Sequence, residues 1–201
     1  MFLVENTIMK LIGESDKIPP ERKHILESIS AFCKSDQVST LIFICTHNSR
    51  RSHIAQVWAQ TAAAYFNVPN VIAYSGGTEA TAFNPRAVSA LRNLGFKIER
   101  KTSGTNPHYI IQYSDKHPSF EVFSKRYDNP QNPSTGFAAI LTCTHADENC
   151  PVVAGASVRI SLPFDDPKDF DNTDLEPAMY NERSLEIGRE ILYAFSQIKR
   201  L

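Results

Sequence analysis

The chain has 201 residues with 42% hydrophobic content, enough to bury one α/β core with some elaboration. Its 21 Lys and Arg balance 22 Asp and Glu, so no basic field points to nucleic acid or an anionic membrane surface. Glu5, Asn6 and Lys10 break the apolar start, and no window suits a spanning helix, so a cytoplasmic protein is expected.

Residues 1–37 read as a helical leader. Ile18-Pro19-Pro20-Glu21 is a helix start, and Ile25, Ile29 and Phe32 recur at helical spacing. Cys33 belongs here as a small buried hydrophobe. Residues 38–44 have the β-branched and aromatic enrichment of a buried parallel strand. Residues 52–66 form a helix with Ile54, Val57, Trp58, Ala62 and Tyr65 on one face. Val71-Ile72-Ala73-Tyr74 is a second strand, closed by Ser75-Gly76-Gly77. Asn84-Pro85 opens a helix carrying Val88, Leu91 and Leu94, and Gly95 ends it. This β-α-β-α order implies a parallel sheet with right-handed crossovers.

Residues 104–135 depart from that pattern. Residues 109–113 and 120–123 flank a turn-rich stretch and read as two short strands of a hairpin-like excursion. Residues 137–143 resume the core as a third parallel strand and residues 157–162 are a fourth. A long terminal helix carries Ile187, Ile191, Phe195 and Ile198 on one stripe, with Leu192 beside it. The expectation is a single α/β domain over 1–201, its core at 38–103 and 136–201, with the leader and the 104–135 insertion added.

The chemistry concentrates where the first strand ends, in Cys45-Thr46-His47-Asn48-Ser49-Arg50-Arg51-Ser52. A cysteine closes an apolar strand and an arginine stands where a helix begins. Backbone N–H groups and the helix dipole there favour an oxyanion, and the same field favours a thiolate at Cys45. Arg51 can chelate two oxygens of a tetrahedral anion, Ser52 can donate to the sulfur, and Asn48 suits a left-handed position. The plain alternative is a packed cysteine beside a surface arginine pair.

A thiolate attacking an oxyanion needs an acid for the departing oxygen. Asp165-Asp166-Pro167 follows the fourth strand, whose end lies on the same sheet edge as Cys45, and Asp166 is the acid candidate. A simple turn at Asp-Pro is the alternative. The third strand also ends in a cysteine, in Cys143-Thr144-His145-Ala146-Asp147-Glu148-Asn149-Cys150-Pro151. Cys143 and Cys150 could exchange disulfides with a bond made by Cys45. A zinc site using Cys143, His145 and Cys150 has an unusual spacing, so no metal is expected; two inert thiols are the third possibility.

Together these residues resemble a known family. The Cys45–Ser52 run looks like the phosphate loop of low-molecular-weight protein tyrosine phosphatases, and Asp166-Pro167 looks like their acid loop. The 143–151 run is similar to the redox segment of the thioredoxin-coupled arsenate reductases built on the same fold. Ser75-Gly76-Gly77-Thr78-Glu79-Ala80 and Asn84-Pro85 resemble the corresponding region. The likeness spans roughly residues 38–103 and 136–199.

The resemblance implies a three-layer α/β/α fold with a four-stranded parallel sheet. It further implies an arsenate reductase: arsenate binds over residues 46–52, Cys45 attacks arsenic, and Asp166 protonates the leaving hydroxide. Cys143 then attacks Cys45, and Cys150 leaves a Cys143–Cys150 disulfide for thioredoxin, with no bound cofactor. Such a relay requires the 143–151 segment to move. The alternative is a tyrosine or small-phosphomonoester phosphatase whose extra thiols only protect Cys45; a third reading is a non-catalytic oxyanion or redox sensor. Three departures stand out: His47 in place of a small residue, Arg50 in place of a second cysteine, and Gln56 in place of a glutamate that helps some relatives hold potassium, so that ion is not expected.

Overall fold

The computed structural model describes residues 1–33, 38–149 and 152–198. Helices α1 (Glu5–Gly13) and α2 (Pro20–Phe32) precede β1 (Ser39–Cys45), α3 (Arg51–Tyr65), β2 (Val71–Gly77) and α4 (Pro85–Asn93). Three short strands follow: β3 (Lys97–Arg100), β4 (Tyr109–Gln112) and β5 (Phe120–Val122). Then come β6 (Phe137–Leu141), α5 (Thr144–Asn149), β7 (Ala156–Ser161), a 3-10 turn at Pro167–Phe170 and α6 (Glu176–Ser196). Among the described residues no helix is long and apolar enough to cross a membrane.

The central sheet has four strands in the order β2-β1-β6-β7, every pairing parallel. β1 lies between two neighbours and is buried along nearly its whole length, which is why its sequence is apolar without alternation. Alternate residues still divide the core in two. Leu41, Phe43, Ala138 and Ile140 face a large cluster with Leu11, Leu26, Trp58, Leu91, Ile191 and Phe195 from the long helices. Ile42, Ile44, Ala139 and Leu141 face a smaller one that α5 covers with Ala146, together with Val153 and Tyr127 from loops. The layers are therefore α/β/α but unequal.

The leader is two helices whose Ile8, Leu11, Leu26 and Ile29 enter the large cluster. α2 starts at Pro20, where proline's missing N–H costs nothing.

Three expectations need correction. Ser75-Gly76-Gly77 does not close β2; it continues the strand, with Gly76 opposite Ile44 and Gly77 opposite Cys45. Glycine is required there by close approach. A Cβ on Gly76 would lie 2.4 Å from Tyr127 Cα, and one on Gly77 would lie 2.2 Å from the Glu79 carbonyl oxygen. Second, the excursion begins before residue 104: β3 pairs antiparallel with β4, and β4 with β5, in a separate three-stranded sheet. The expected core of 38–103 includes Lys97–Arg100, whose strand partner lies in the excursion. Third, the strand expected over residues 137–143 ends at Leu141, and Thr144–Asn149 is a short helix.

The excursion also returns to the core. Residues 125–127 run beside the end of β2, where Gly77 N–H donates to Lys125 O and Tyr127 N–H to Gly77 O, each at 2.9 Å. That return brings Ser124 and Lys125 against the loop after β1.

Candidate active site

β1 delivers Cys45 to the C-terminal edge of the sheet, and α3 begins six residues later at Arg51. Between them Asn48 adopts φ of 43°, a left-handed turn that folds the loop back on itself. Its fully buried side chain ties the loop from inside. Asn48 Nδ2 donates to Ser52 Oγ at 2.8 Å, and its Oδ1 accepts Lys125 N–H at 2.9 Å. Ser52 Oγ, having accepted that amide hydrogen, can direct its own proton to Cys45 Sγ, 3.1 Å away. Cys45 itself is only 4% exposed.

The loop carbonyls are bound from outside. Thr46 O accepts from Glu79 N (2.8 Å) and Thr78 Oγ1 (3.1 Å), and Ser49 O accepts from Asn84 N (2.9 Å). His47 O accepts from Thr81 Oγ1 (3.1 Å) and Ser124 Oγ (3.0 Å). With their oxygens engaged outward, the peptide units leave N–H groups to line the concavity, the condition for an anion nest.

Arg51 places Nη1 on Phe164 O at 2.8 Å and Nη2 on Asp166 Oδ2 at 2.6 Å; its buried Nε has no partner among the described residues. The structure thus brings the arginine and the acid candidate into contact. Asp166 Oδ1 also accepts Lys168 N–H at 3.1 Å, capping the 3-10 turn that Pro167 starts. Its neighbour Asp165 is 93% exposed on its side chain and pairs with Arg183, at 3.4 Å. Asp166 is the carboxylate that faces the loop.

Two loop residues direct their side chains elsewhere. Arg50 Nε donates to Tyr180 Oη at 2.9 Å, with Asp171 at 3.7 Å and Asp166 at 3.9 Å from its guanidinium. Tyr180 Oη in turn donates to Asp171 Oδ1 at 2.7 Å. His47 Nε2 stands 3.8 Å from Glu79 and is half-exposed.

Cys143 sits two positions past the end of β6 and caps α5: Ala146 N–H donates to its sulfur at 3.3 Å and Asp147 N–H to its carbonyl at 3.0 Å. Thr46 Oγ1, directly after Cys45 in the chain, lies 3.6 Å from Cys143 Sγ and 3.2 Å from His145 Nδ1. The two thiol-bearing loops therefore meet at Thr46. Asp147 anchors α5 to β7 through Arg159 Nη2 (2.6 Å) and Ser161 Oγ (2.7 Å). Cys150 lies outside the described residues. Cys33 is buried under the helices, and burial pushes its thiol up to about 12.

Sequence reasoning missed Lys125. Burial pulls its ammonium down to about 8, and Nζ sits 4.8 Å over the Phe123 ring. Lys125 and Gln56 line one cavity of about 170 Å³ behind the loop, where Gln56 Nε2 donates to Ala73 O at 3.1 Å. Tyr180, Asp171 and Ser124 were also missed. None lies in a motif, and only the folded chain brings them to the loop.

No family model matches the chain. An arsenate reductase of Halalkalibacterium halodurans is 29% identical over 152 residues, 75% of this chain and 91% of that protein. An arsenate reductase of Staphylococcus aureus strain Newman is 32% identical over 129 residues, 64% of this chain and 78% of that protein. Among solved structures, an arsenate reductase in the phosphate-binding state aligns with TM-score 0.52 at 18% identity, covering 80% of this chain and 99% of that one. A low-molecular-weight phosphotyrosine phosphatase from Vibrio cholerae O395 aligns with TM-score 0.52 at 13% identity, covering 77% and 93%. These structures share the fold.

Proposed function

This chain belongs to the arsenate reductase family built on the low-molecular-weight phosphatase fold, and from that premise we propose that it reduces arsenate to arsenite by a three-cysteine relay. The observation that carries the reading is the second thiol. Cys143 reaches Thr46, the residue next to Cys45, from the same sheet edge. Water alone would release phosphate from a phosphocysteine, whereas an arsenic adduct must be released reductively, and a neighbouring thiol does that.

Arsenate enters the loop at residues 46–52 and displaces Asp166 from Arg51, whose Nη2 and unpartnered Nε then take two of its oxygens. The Cys45 sulfur forms a bond to arsenic as one As–O bond breaks, and Asp166 gives that oxygen a proton. Ser52 Oγ–H steadies the sulfur before attack and again when it leaves. Cys143 attacks the Cys45 sulfur; the S–As electron pair stays on arsenic, which leaves as arsenite. Cys150 then attacks Cys143, freeing Cys45, and thioredoxin reduces the Cys143–Cys150 bond. Arg50 acts through Asp166 and Asp171 on the acid loop rather than on the anion itself. Free thiols of this kind fit the reducing cytoplasm.

Cys45, Arg51 and Asp166 also suffice for phosphomonoester hydrolysis, which makes a phosphatase the competing reading. Arsenate reduction with a thioredoxin system and hydrolysis of an aryl phosphate separate the two. The relay requires that Cys143→Ser and Cys150→Ser each stop reductive turnover while Cys45→Ser stops everything. Robust hydrolysis with no arsenate turnover in the unmodified protein would overturn the reductase in favour of the phosphatase.

A further inference from the structure

Resting on the reading that Cys143 carries the second step, we propose that His145, acting through the Thr46 hydroxyl, takes the proton Cys143 must lose before attacking Cys45. Cys143 is 1% exposed, so bulk water has no direct route to its proton. Among the described residues its sulfur has two polar neighbours. The Ala146 amide, at 3.3 Å, has only a proton to give. The Thr46 oxygen, at 3.6 Å, is the one that can accept. Thr46 has a single hydroxyl proton of its own, and His145 Nδ1 lies 3.2 Å from that oxygen.

A neutral His145 protonated on Nε2 therefore completes a directional chain, S–H to Oγ–H to Nδ1. After transfer the chain reverses: Nδ1–H donates to Thr46, and Thr46 donates to the thiolate, which still receives the Ala146 amide. Each atom keeps a compatible role before and after. His145 is exposed, so it can pass the proton on to water. Asn149 Nδ2 holds the His145 carbonyl at 2.7 Å, fixing the turn that presents the ring.

The other titratable groups nearby are committed elsewhere. On α5, Asp147 is bound to Arg159 and Ser161, and Glu148 is exposed. On the first loop, His47 faces Glu79, and in the loop after β7 Asp166 is held by Arg51. The sequence suggests His145 only as a metal ligand, and its spacing to Thr46 is visible only in the fold.

The balance is simple. The Cys143 S–H bond breaks and one proton arrives at His145 Nδ1 through Thr46. The freed electron pair makes the S–S bond to Cys45, the S–As pair goes to arsenic, two thiols are oxidised and arsenic(V) becomes arsenic(III). His145 acts through Thr46 and is a positioning residue in this step.

Two measurements test it. In a Cys45→Ser/Cys150→Ser protein the remaining thiols are Cys33 and Cys143, and burial holds Cys33 up at about 12, so thiolate absorbance that appears well below that pH reports Cys143. His145→Ala should shift its thiolate ultraviolet absorbance curve to higher pH by roughly one unit. In single turnover with Cys150→Ser, His145→Ala should slow arsenite release at neutral pH by about tenfold or more. Added imidazole should restore part of that rate, and hydrolysis of an aryl phosphate should be untouched. An unshifted absorbance curve overturns the relay, and so does equal loss of arsenite release and phosphate hydrolysis, the mark of a merely structural role. If the unmodified protein releases no arsenite, the reductase reading falls, and the absorbance curve still decides the His145 chain.

Discussion

Cys45 and Cys143 end neighbouring strands of one sheet, yet their loops are held in opposite ways. The loop after Cys45 is anchored from outside: Thr78, Glu79, Thr81, Asn84, Ser124 and Lys125 all bind it, from two different parts of the chain. Among the described residues, the segment after Cys143 is held partly by itself, through Ala146 to Cys143 and Asn149 to His145, with outside ties to Thr46 and, through Asp147, to β7. An oxyanion grip works only if its donors are already in place when charge develops. A disulfide carrier must leave its place to hand over its bond, and segments with few outside anchors open at low cost. The contrast matches the two halves of the proposed chemistry.

The sharpest way to break the comparison is to damage an anchor of the first loop from a distance. In Gly77→Ala the new Cβ would meet the Glu79 carbonyl at 2.2 Å and the Asn48 nitrogen and Thr46 oxygen at 2.7 Å. All three are backbone atoms and cannot swing aside, so about 3 kcal/mol of stability should be lost, the upper end for overpacking. Denaturant unfolding measures it, and isothermal titration with phosphate should show anion binding gone. A variant that unfolds like the parent and still binds phosphate would mean the loop is not held rigidly.

Asn48→Ala tests the anchor from inside. It leaves the Lys125 N–H without its acceptor and Ser52 Oγ without its donor, and it places alanine at φ of 43°. An orphaned buried donor and a left-handed non-glycine residue together should cost about 2 kcal/mol. Phosphate binding should weaken along with stability, because Ser52 is then free to turn away from Cys45.

Much of this was legible in the chain before folding. The strands and long helices follow from local apolar periodicity, and Cys45 at a strand end, Arg51 at the start of the next helix and Asp166 in the loop after β7 are brought by parallel topology to one edge. The loop's outer supports were not legible. Lys125 is separated from Asn48 by 77 positions and meets it only because the excursion returns beside β2. Gly76 and Gly77 read as the close of the strand, whereas in the fold they extend it and make room for a neighbouring backbone. β3 was misassigned for a similar reason, since a short strand's partner is a non-local property.

Lys125 gives a smaller, pH-limited effect on the same loop. Its folded value near 8 lies below the ordinary 10.5, because burial penalises the ammonium. Between those values the folded chain holds fewer protons at this site than the unfolded one, so its contribution to stability rises with pH. Relative to Lys125→Met, the parent should gain about 1 kcal/mol between pH 8 and 9. That window is chosen because Cys33, pushed up from 9.0 to about 12, works in the opposite direction above it. A flat difference would mean that the ammonium is solvated and does not buttress the loop.

Asp147→Asn should have the smallest global effect and the most local one. Its carboxylate receives Arg159 and Ser161 in a half-buried setting, and an amide of the same shape keeps one acceptor while losing the charge. Partly exposed pairs of this kind contribute about 1 kcal/mol or less. The denaturant midpoint should therefore barely move. Yet this tie joins α5 to the sheet, so limited proteolysis between residues 143 and 152 should speed up severalfold at unchanged global stability. Gly77→Ala should produce the reverse pattern, with global stability lost before local cleavage rises. If Asp147→Asn instead lowers the midpoint as far as Asn48→Ala does, the redox segment is as firmly built in as the anion loop. The proposed handover would then have to occur without the segment leaving its place.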